Sequence, residues 1–153
     1  MARTRKARDV AALAEMAAAL MRDKKCNCAE AIVRVMAERY GFDPALSRAV
    51  TPFGGGISGN ADVCGLMTGG LVVIGLRFGR KRTGDQETKA RCYAVGNELY
   101  HWFMTKYGRC TDLKGNPQVG PFDDCYRAAS EFVPYLVDLI DRNERKGRTG
   151  KRK

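Results

Sequence analysis

The sequence predicts an all-α fold, a single-domain bundle of five or six helices in which a glycine-rich loop leads into a central glycine-containing helix. Apolar residues recur at helical spacing in several segments, and no stretch alternates convincingly with the period of a strand. Residues that cap helices precede these segments, and glycines follow several of them. The 153 residues suit one domain with a proper core.

The first two helices are predicted by apolar periodicity and by end signals. An Ala-rich amphipathic helix spans residues 8–22. A second helix begins after Asn27, an N-cap that forms a capping box with Glu30, and it ends before Gly41. Cys28 is therefore predicted to be the first residue of the second helix.

A short helix and a glycine-rich loop follow. Asp43 and Pro44 form a cap and first-turn pair that opens a helix through about Val50. Residues 51–61 then form a loop that can bring backbone N–H groups close to a partner. This loop lacks the Lys-Ser/Thr ending of a phosphate loop and the preceding strand of a dinucleotide fingerprint, so a nucleotide site is not expected. Its glycines are Gly54, Gly55, Gly56 and Gly59.

The glycine-containing helix is predicted over residues 63–78, with Asp62 as its N-cap. This start places Cys64 in the first turn. Gly65 and Gly69 lie one turn apart and give the helix a bare face against which another backbone can approach.

Two more helices complete the predicted bundle. The longest covers residues 86–107 and is stopped by Gly108. A loop over residues 114–122 leads to a final helix over residues 125–141, which we expect Pro134 to kink. The predicted capping residues of this last helix are Asp123 and Asp124.

The formal net charge of +10 is concentrated at the two ends of the chain. Residues 1–9 carry four basic side chains against Asp9, residues 142–153 carry seven against Glu144, and residues 10–141 are nearly neutral. Both ends lack aromatic side chains and bury little apolar surface, so we expect two disordered basic tails around a helical cysteine-site domain. A nucleic-acid function would depend on tail charge alone and is not expected.

The apolar segments indicate a cytoplasmic location. The stretch after the basic start is interrupted by Glu15 and repeats at helical spacing, unlike a secretory signal. The run over residues 63–78 is shorter than the ~20 residues of a membrane span and contains glycines, so no transmembrane segment is expected. Because cytoplasmic thiols are kept reduced, the six cysteines favour metal, cluster or redox chemistry.

Four of the six cysteines lie where a helix is predicted to begin. A helix start offers unpaired N–H groups and a partial positive charge, which favour a thiolate over a thiol. Their spacing matches no zinc finger or ferredoxin run, so only convergence in the fold could make them one site. These four residues are Cys28, Cys64, Cys110 and Cys125.

The other candidate residues have weaker support. Cys92 lies inside the longest predicted helix and is assigned to the core. Cys26 is interpreted as an exposed spare thiol or an auxiliary ligand. His101 is the single histidine and is interpreted as structural or exposed. No CxxCH motif occurs, so covalently attached haem is not expected.

Three stretches carry a resemblance to a known family. The chain reads NCAEAIVRVMAERYG from residue 27, FGGGISGNADVCGLMTGGLVVIGLRFG from residue 53 and YGRCTDL from residue 107, and a last cysteine precedes a helix. In these features, which span most of residues 20–140, the chain resembles the C_GCAxxG_C_C family of redox-active proteins. The loop that leads into CGxxTG is the most distinctive part.

The resemblance implies redox chemistry at the four cysteines of the predicted helix starts. It places Gly65 and Gly69 in the family's central motif. Leu66 stands where the family usually has Ala, a difference that concerns packing beside Cys64 and leaves the sulfur positions intact. A related domain in a multihaem cytochrome is thought to hold an iron–sulfur centre. No redox partner is implied.

Three chemistries remain open for this chain. In the first, four thiolates bind an iron–sulfur cluster, with [2Fe–2S] favoured, for one-electron transfer or sensing. Alternatively, a pair such as Cys28 and Cys64 cycles between dithiol and disulfide without metal, or four thiolates hold a structural zinc ion. The sequence does not decide whether the protein is an enzyme, and glycine-lined packing permits a homodimer. The predicted supporting residues are Gly54, Gly55, Gly56, Gly65 and Gly69.

Overall fold

The computed structural model describes the backbone of residues 2–114 and 122–150, and the side chains of residues 10–113 and 122–150. These residues form helices and turns and no strand, which confirms the predicted all-α class. None of the described helices has both the length and the hydropathy needed to cross a membrane. The elements are α1 (Ala2–Arg22), α2 (Cys28–Tyr40), a 3₁₀ helix (Pro44–Phe53), α3 (Gly65–Phe78), α4 (Gln86–Lys106), α5 (Cys110–Lys114) and α6 (Asp123–Thr149).

Helix α2 lies at the centre of the bundle, packed against α1, α3, α6 and the 3₁₀ helix. Its apolar residues include Ile32 and Met36, which are fully buried. The predicted capping box is present, because the Asn27 side chain accepts from the Glu30 N–H at 3.0 Å and Glu30 accepts from the Asn27 N–H at 2.8 Å. The cap fixes the backbone at Cys28, which begins the helix as predicted.

Helix α6 supplies the largest part of the core. It contacts α1, α2, α3 and α4, and its apolar stripe includes the fully buried Phe132, Leu136 and Ile140. Phe132 meets Phe103 of α4 edge to face, with 5.5 Å between ring centroids. The core is therefore continuous from the first helix to the last.

The glycines of α3 allow it to approach α2 closely, as predicted. A Cβ atom on Gly69 would lie 2.8 Å from the Ala29 carbonyl oxygen. A Cβ atom on Gly65 would lie 2.3 Å from the Cys28 sulfur. Larger side chains at these positions would push the two helices apart, so the glycines set the distance between α3 and the start of α2.

Two predicted helix starts differ from the structure. Helix α3 begins at Gly65 with Cys64 as its N-cap, because hydrogen bonds from Ala61 and Asp62 back to the glycine-rich loop hold those residues outside the helix. Cys125, which was expected to begin the last helix, is the third residue of α6. Asp123 and Asp124 are not caps but lie in the first turn, after an N-cap at Phe122 that makes no side-chain hydrogen bond.

The chain ends also differ from the prediction of disordered tails. Helix α1 begins at Ala2 and α6 continues to Thr149. Ala, Arg, Lys and Glu are strong helix formers, so an existing helix extends through such sequences at low cost. Ion pairs from Arg142 to Glu98 and from Arg77 to Glu144 also attach the extension of α6 to α4 and α3. Most of the predicted 114–122 loop lies outside the described residues.

Candidate cysteine site

The start of α2, which carries Cys28, is tied to the 3₁₀ helix. The Asn27 amide donates to the Thr51 carbonyl oxygen at 2.9 Å, and the Thr51 hydroxyl donates to Glu30 at 2.5 Å. The same two residues that cap α2 therefore also hold the segment that leads into the glycine-rich loop.

The glycine-rich loop lies directly over this helix start. A Cβ atom on Gly54 would come within 2.5 Å of the Asn27 side chain. Gly55 and Gly56 have φ values of 62° and 69°, in the left-handed region that favours glycine. The loop thereby brings the Gly55 N–H to the Cys28 sulfur, and the other N–H groups that reach this sulfur are those of Ala29, Gly65 and Cys28 itself.

Cys64 and Cys110 are brought to the same side by a backbone connection between two distant segments. The Cys110 N–H donates to the Asp62 carbonyl oxygen at 2.8 Å. The Thr111 N–H and hydroxyl both donate to the Ala61 carbonyl oxygen, at 3.3 and 2.9 Å. These bonds fix the start of α5 beside the residues that precede α3.

All four predicted site cysteines line one cavity of about 500 Å³. Cys28 comes from α2, Cys64 from the cap of α3, Cys110 from α5 and Cys125 from the first turn of α6. Cys64 and Cys110 are nearly inaccessible to solvent. The remaining wall residues are Met21, Lys24, Cys26, Asn27, Gly55, Leu66, Phe122 and Tyr126.

The electrostatics of Cys28 and Cys64 differ from the expectation that helix starts favour thiolates. Burial raises the pKa of Cys28, against the opposing effect of the N–H groups that reach its sulfur. Burial also raises the pKa of Cys64 well above its ordinary value, and the nearby Cys28, Cys110 and Cys125 raise it further, while the Leu66 N–H lowers it. The amide donors are present, but desolvation outweighs them.

The secondary candidates are placed differently from one another. Cys26 is half-buried and lines the cavity, and burial raises its pKa more than the neighbouring Arg34 lowers it. Cys92 is half-buried and packs against the hydrophobic core from α4. His101 is exposed on α4 and does not line the cavity.

The described residues contain neither a disulfide nor a group of side chains placed to hold a metal ion. None of the six cysteines forms a disulfide. No group of three or more His, Cys, Asp or Glu residues stands at separations that would hold a metal ion in this part of the chain. The sulfur atoms thus share one cavity, but they are not grouped closely enough to hold a single metal ion.

The apolar wall of the cavity was not predicted from the sequence. Tyr126 could have been found from its position next to Cys125, whereas Met21 and Phe122 carry no local signal for the site. They reach the cavity because α1 packs along α6, a tertiary relationship that the sequence pattern does not specify.

Comparison with known proteins agrees with this cysteine pattern. Residues 26–138 match the family model described as "Putative redox-active protein (C_GCAxxG_C_C)". The match covers more than half of the chain and includes every cysteine that lines the cavity. Searches of curated proteins and of solved structures gave no significant match.

Proposed function

Because the chain belongs to the C_GCAxxG_C_C family, we propose that it is a redox protein whose cavity cysteines bind an iron–sulfur cluster, with [2Fe–2S] favoured, for electron transfer or sensing. The observation that carries the proposal is the convergence of four sulfurs from four helix starts on one cavity. When bound, the cluster supplies a one-electron couple. The proposed ligands are Cys28, Cys64, Cys110 and Cys125.

The donor set and the space both suit a cluster. Sulfur-only ligation is typical of iron–sulfur clusters and of some zinc sites. A structural zinc ion is enclosed tetrahedrally at about 2.3 Å from each sulfur and needs little room. The cavity of about 500 Å³ favours a larger group.

The charges around the cysteines also support a cationic partner. Burial and mutual repulsion oppose formation of several thiolates in this cavity, as the raised pKa of Cys64 indicates. Positively charged iron offsets both effects, since a metal-bound thiol is deprotonated outright. N–H groups at Gly55 and Gly65 then remain to donate to the ligand sulfur at Cys28.

Thiol–disulfide exchange without metal has less support. An attacking thiol needs a substantial thiolate fraction near ambient pH. Burial raises the pKa of both Cys28 and Cys64, the pair considered from the sequence. These two buried thiols are poorly prepared for nucleophilic attack.

Anaerobic purification followed by iron, sulfide and zinc analysis tests the proposal. We expect iron and acid-labile sulfide in equal amounts after reconstitution, with visible absorption that bleaches on reduction. Zinc without iron or a redox wave would replace the proposal with a structural zinc site. A reversible loss of two hydrogens by mass spectrometry, in protein free of metal, would replace it with dithiol chemistry.

A further inference from the structure

A second cavity, of about 340 Å³, lies where α3 ends and α4 begins. We call it the basic pocket, and no cysteine lines it. Its walls come from the end of α3, from the connection over residues 79–85 and from the first turns of α4. Its charged and aromatic lining residues are Arg77, Phe78, Lys81, Arg82, Asp85 and Arg91.

Three of the four cations in the basic pocket have no counter-charge. Arg77 is already engaged, because it pairs with Glu144 and its guanidinium lies 4.9 Å from the Tyr40 ring centroid. The side chains of Lys81, Arg82 and Arg91 make no ion pair and no hydrogen bond with any residue that the structure describes. Three cationic side chains therefore line one concave space without an ion-pair partner among the described residues, and Arg91 also lies beside Gly147 of α6.

The carboxylate that lines the pocket, that of Asp85, accepts hydrogen bonds from the start of α4. Asp85 caps α4, and its two oxygens accept from the Thr88 N–H at 2.9 Å and from the Thr88 hydroxyl at 2.8 Å. Hydrogen bonding to Thr88 holds this carboxylate at the helix start. The pocket keeps an excess of positive charge.

We propose that the basic pocket binds a compact diphosphate group, as carried by free pyrophosphate or by a nucleoside diphosphate. Guanidinium groups recognise phosphate oxygens with paired N–H donors, and a lysine adds a point charge. The volume exceeds what one phosphoryl group fills, and Phe78 supplies an apolar wall. A concave pocket suits a small ligand better than duplex DNA, which is bound through extended rows of phosphate contacts.

Isothermal titration of the full-length protein with pyrophosphate tests this site. We expect saturable one-site binding that weakens at least about tenfold in R82Q/R91Q, because two phosphate donors are lost. The matched control K25Q/R48Q removes the same charge from exposed residues outside the pocket and should bind like the wild type. Circular dichroism of both double variants checks that the helices are intact.

A parallel titration with adenosine diphosphate distinguishes the two sources of the diphosphate. Tighter binding than pyrophosphate assigns the pocket to a nucleotide, and equal or weaker binding assigns it to free pyrophosphate. Three results would overturn the proposal: no saturable binding of either probe, equal weakening in both double variants, or duplex DNA binding that R82Q/R91Q abolishes while pyrophosphate binding stays intact.

Discussion

Cys64 is the residue on which the proposed cluster site depends most. It is the N-cap residue of α3, only 4% of its surface is exposed, and the three other proposed ligand cysteines lie within electrostatic reach of it. Burial and these neighbours disfavour its thiolate. A positive charge in the cavity favours its deprotonation in the folded protein, and a bound metal centre would provide that charge.

Replacing Cys64 is predicted to abolish stable cluster binding. Cys64→Ser should lose most of the iron and sulfide after anaerobic reconstitution, because one of four ligands is missing. The control Cys92→Ser alters a half-buried cysteine outside the cavity and should retain wild-type iron content. Equal iron content in the two variants would contradict the assignment of Cys64 as a ligand.

Individual residues of the site were predictable where a local signal exists. The Asn27–Glu30 capping box is formed by residues close in sequence, and it predicted the position of Cys28 correctly. The pattern around Asp62 was misleading, because this residue is held by backbone hydrogen bonds to the glycine-rich loop and to Cys110. Long-range backbone bonds leave no trace in local sequence.

At the scale of elements, the close contact between α2 and α3 positions two of the four cysteines. Gly69 faces the Ala29 backbone, whereas Gly75, six residues later on the same helix, has nothing within 4 Å of the position of a Cβ atom. The two glycines thus have the same helical setting and opposite surroundings. Comparing substitutions at Gly69 and Gly75 therefore distinguishes the effect of packing on stability from that of helix propensity.

Gly69→Ala is predicted to destabilise the fold and Gly75→Ala to stabilise it. The first forces a Cβ atom against a backbone carbonyl and should lower the free energy of unfolding by about 1–3 kcal/mol. The second gains helix propensity of about 0.5–1 kcal/mol. Urea denaturation of both variants measures the difference, and equal effects would show that the α2–α3 contact is looser than described.

The existence and order of the helices were predictable, and their ends less so. Periodicity and end signals located α2 and α4 closely, since Asn27 and Gly41 mark the ends of α2 and Gly108 follows the end of α4. The extension of α6 to Thr149 was missed because its charged residues resemble a disordered tail. Arg142 and Glu144 form ion pairs with other helices, and these partners become visible only in the fold.

At the scale of the whole molecule, a largely buried ion pair joins α2 to α6. Arg39 donates to Asp141 at 2.8 Å, and their side chains are only 9% and 14% exposed. The Tyr40 hydroxyl donates to the other Asp141 oxygen at 3.0 Å. Three residues from the two central helices thus share one polar contact inside the bundle.

Asp141→Asn is predicted to lower the free energy of unfolding by about 3 kcal/mol, because it leaves the Arg39 charge unpaired in a buried position. Asp138→Asn removes a carboxylate from the same helix whose side chain is 66% exposed, so its effect should stay below about 1 kcal/mol. Thermal or urea unfolding compares the two. A smaller cost for Asp141→Asn than for Asp138→Asn would contradict the assigned role.

Iron-free protein is predicted to lose stability as the pH rises through and above the ordinary thiol pKa of 9.0. Burial raises the pKa of Cys28 and Cys64 in the folded state, so the unfolded chain loses its thiol protons first. The contribution of these groups is complete below the unfolded pKa and declines above it. The urea midpoint should therefore decrease less between about pH 7.5 and about pH 10 in C28S/C64S than in wild type. An identical fall in both proteins would contradict this origin.

The proposed function requires four sulfurs from separate helix starts to ligate one iron–sulfur centre. Iron K-edge X-ray absorption of the anaerobically reconstituted protein tests it most directly, because the spectrum reports the atoms around the metal. We expect a first shell of sulfur alone together with iron–iron scattering. Isolated iron surrounded by nitrogen or oxygen, or no bound iron after reconstitution, would contradict it.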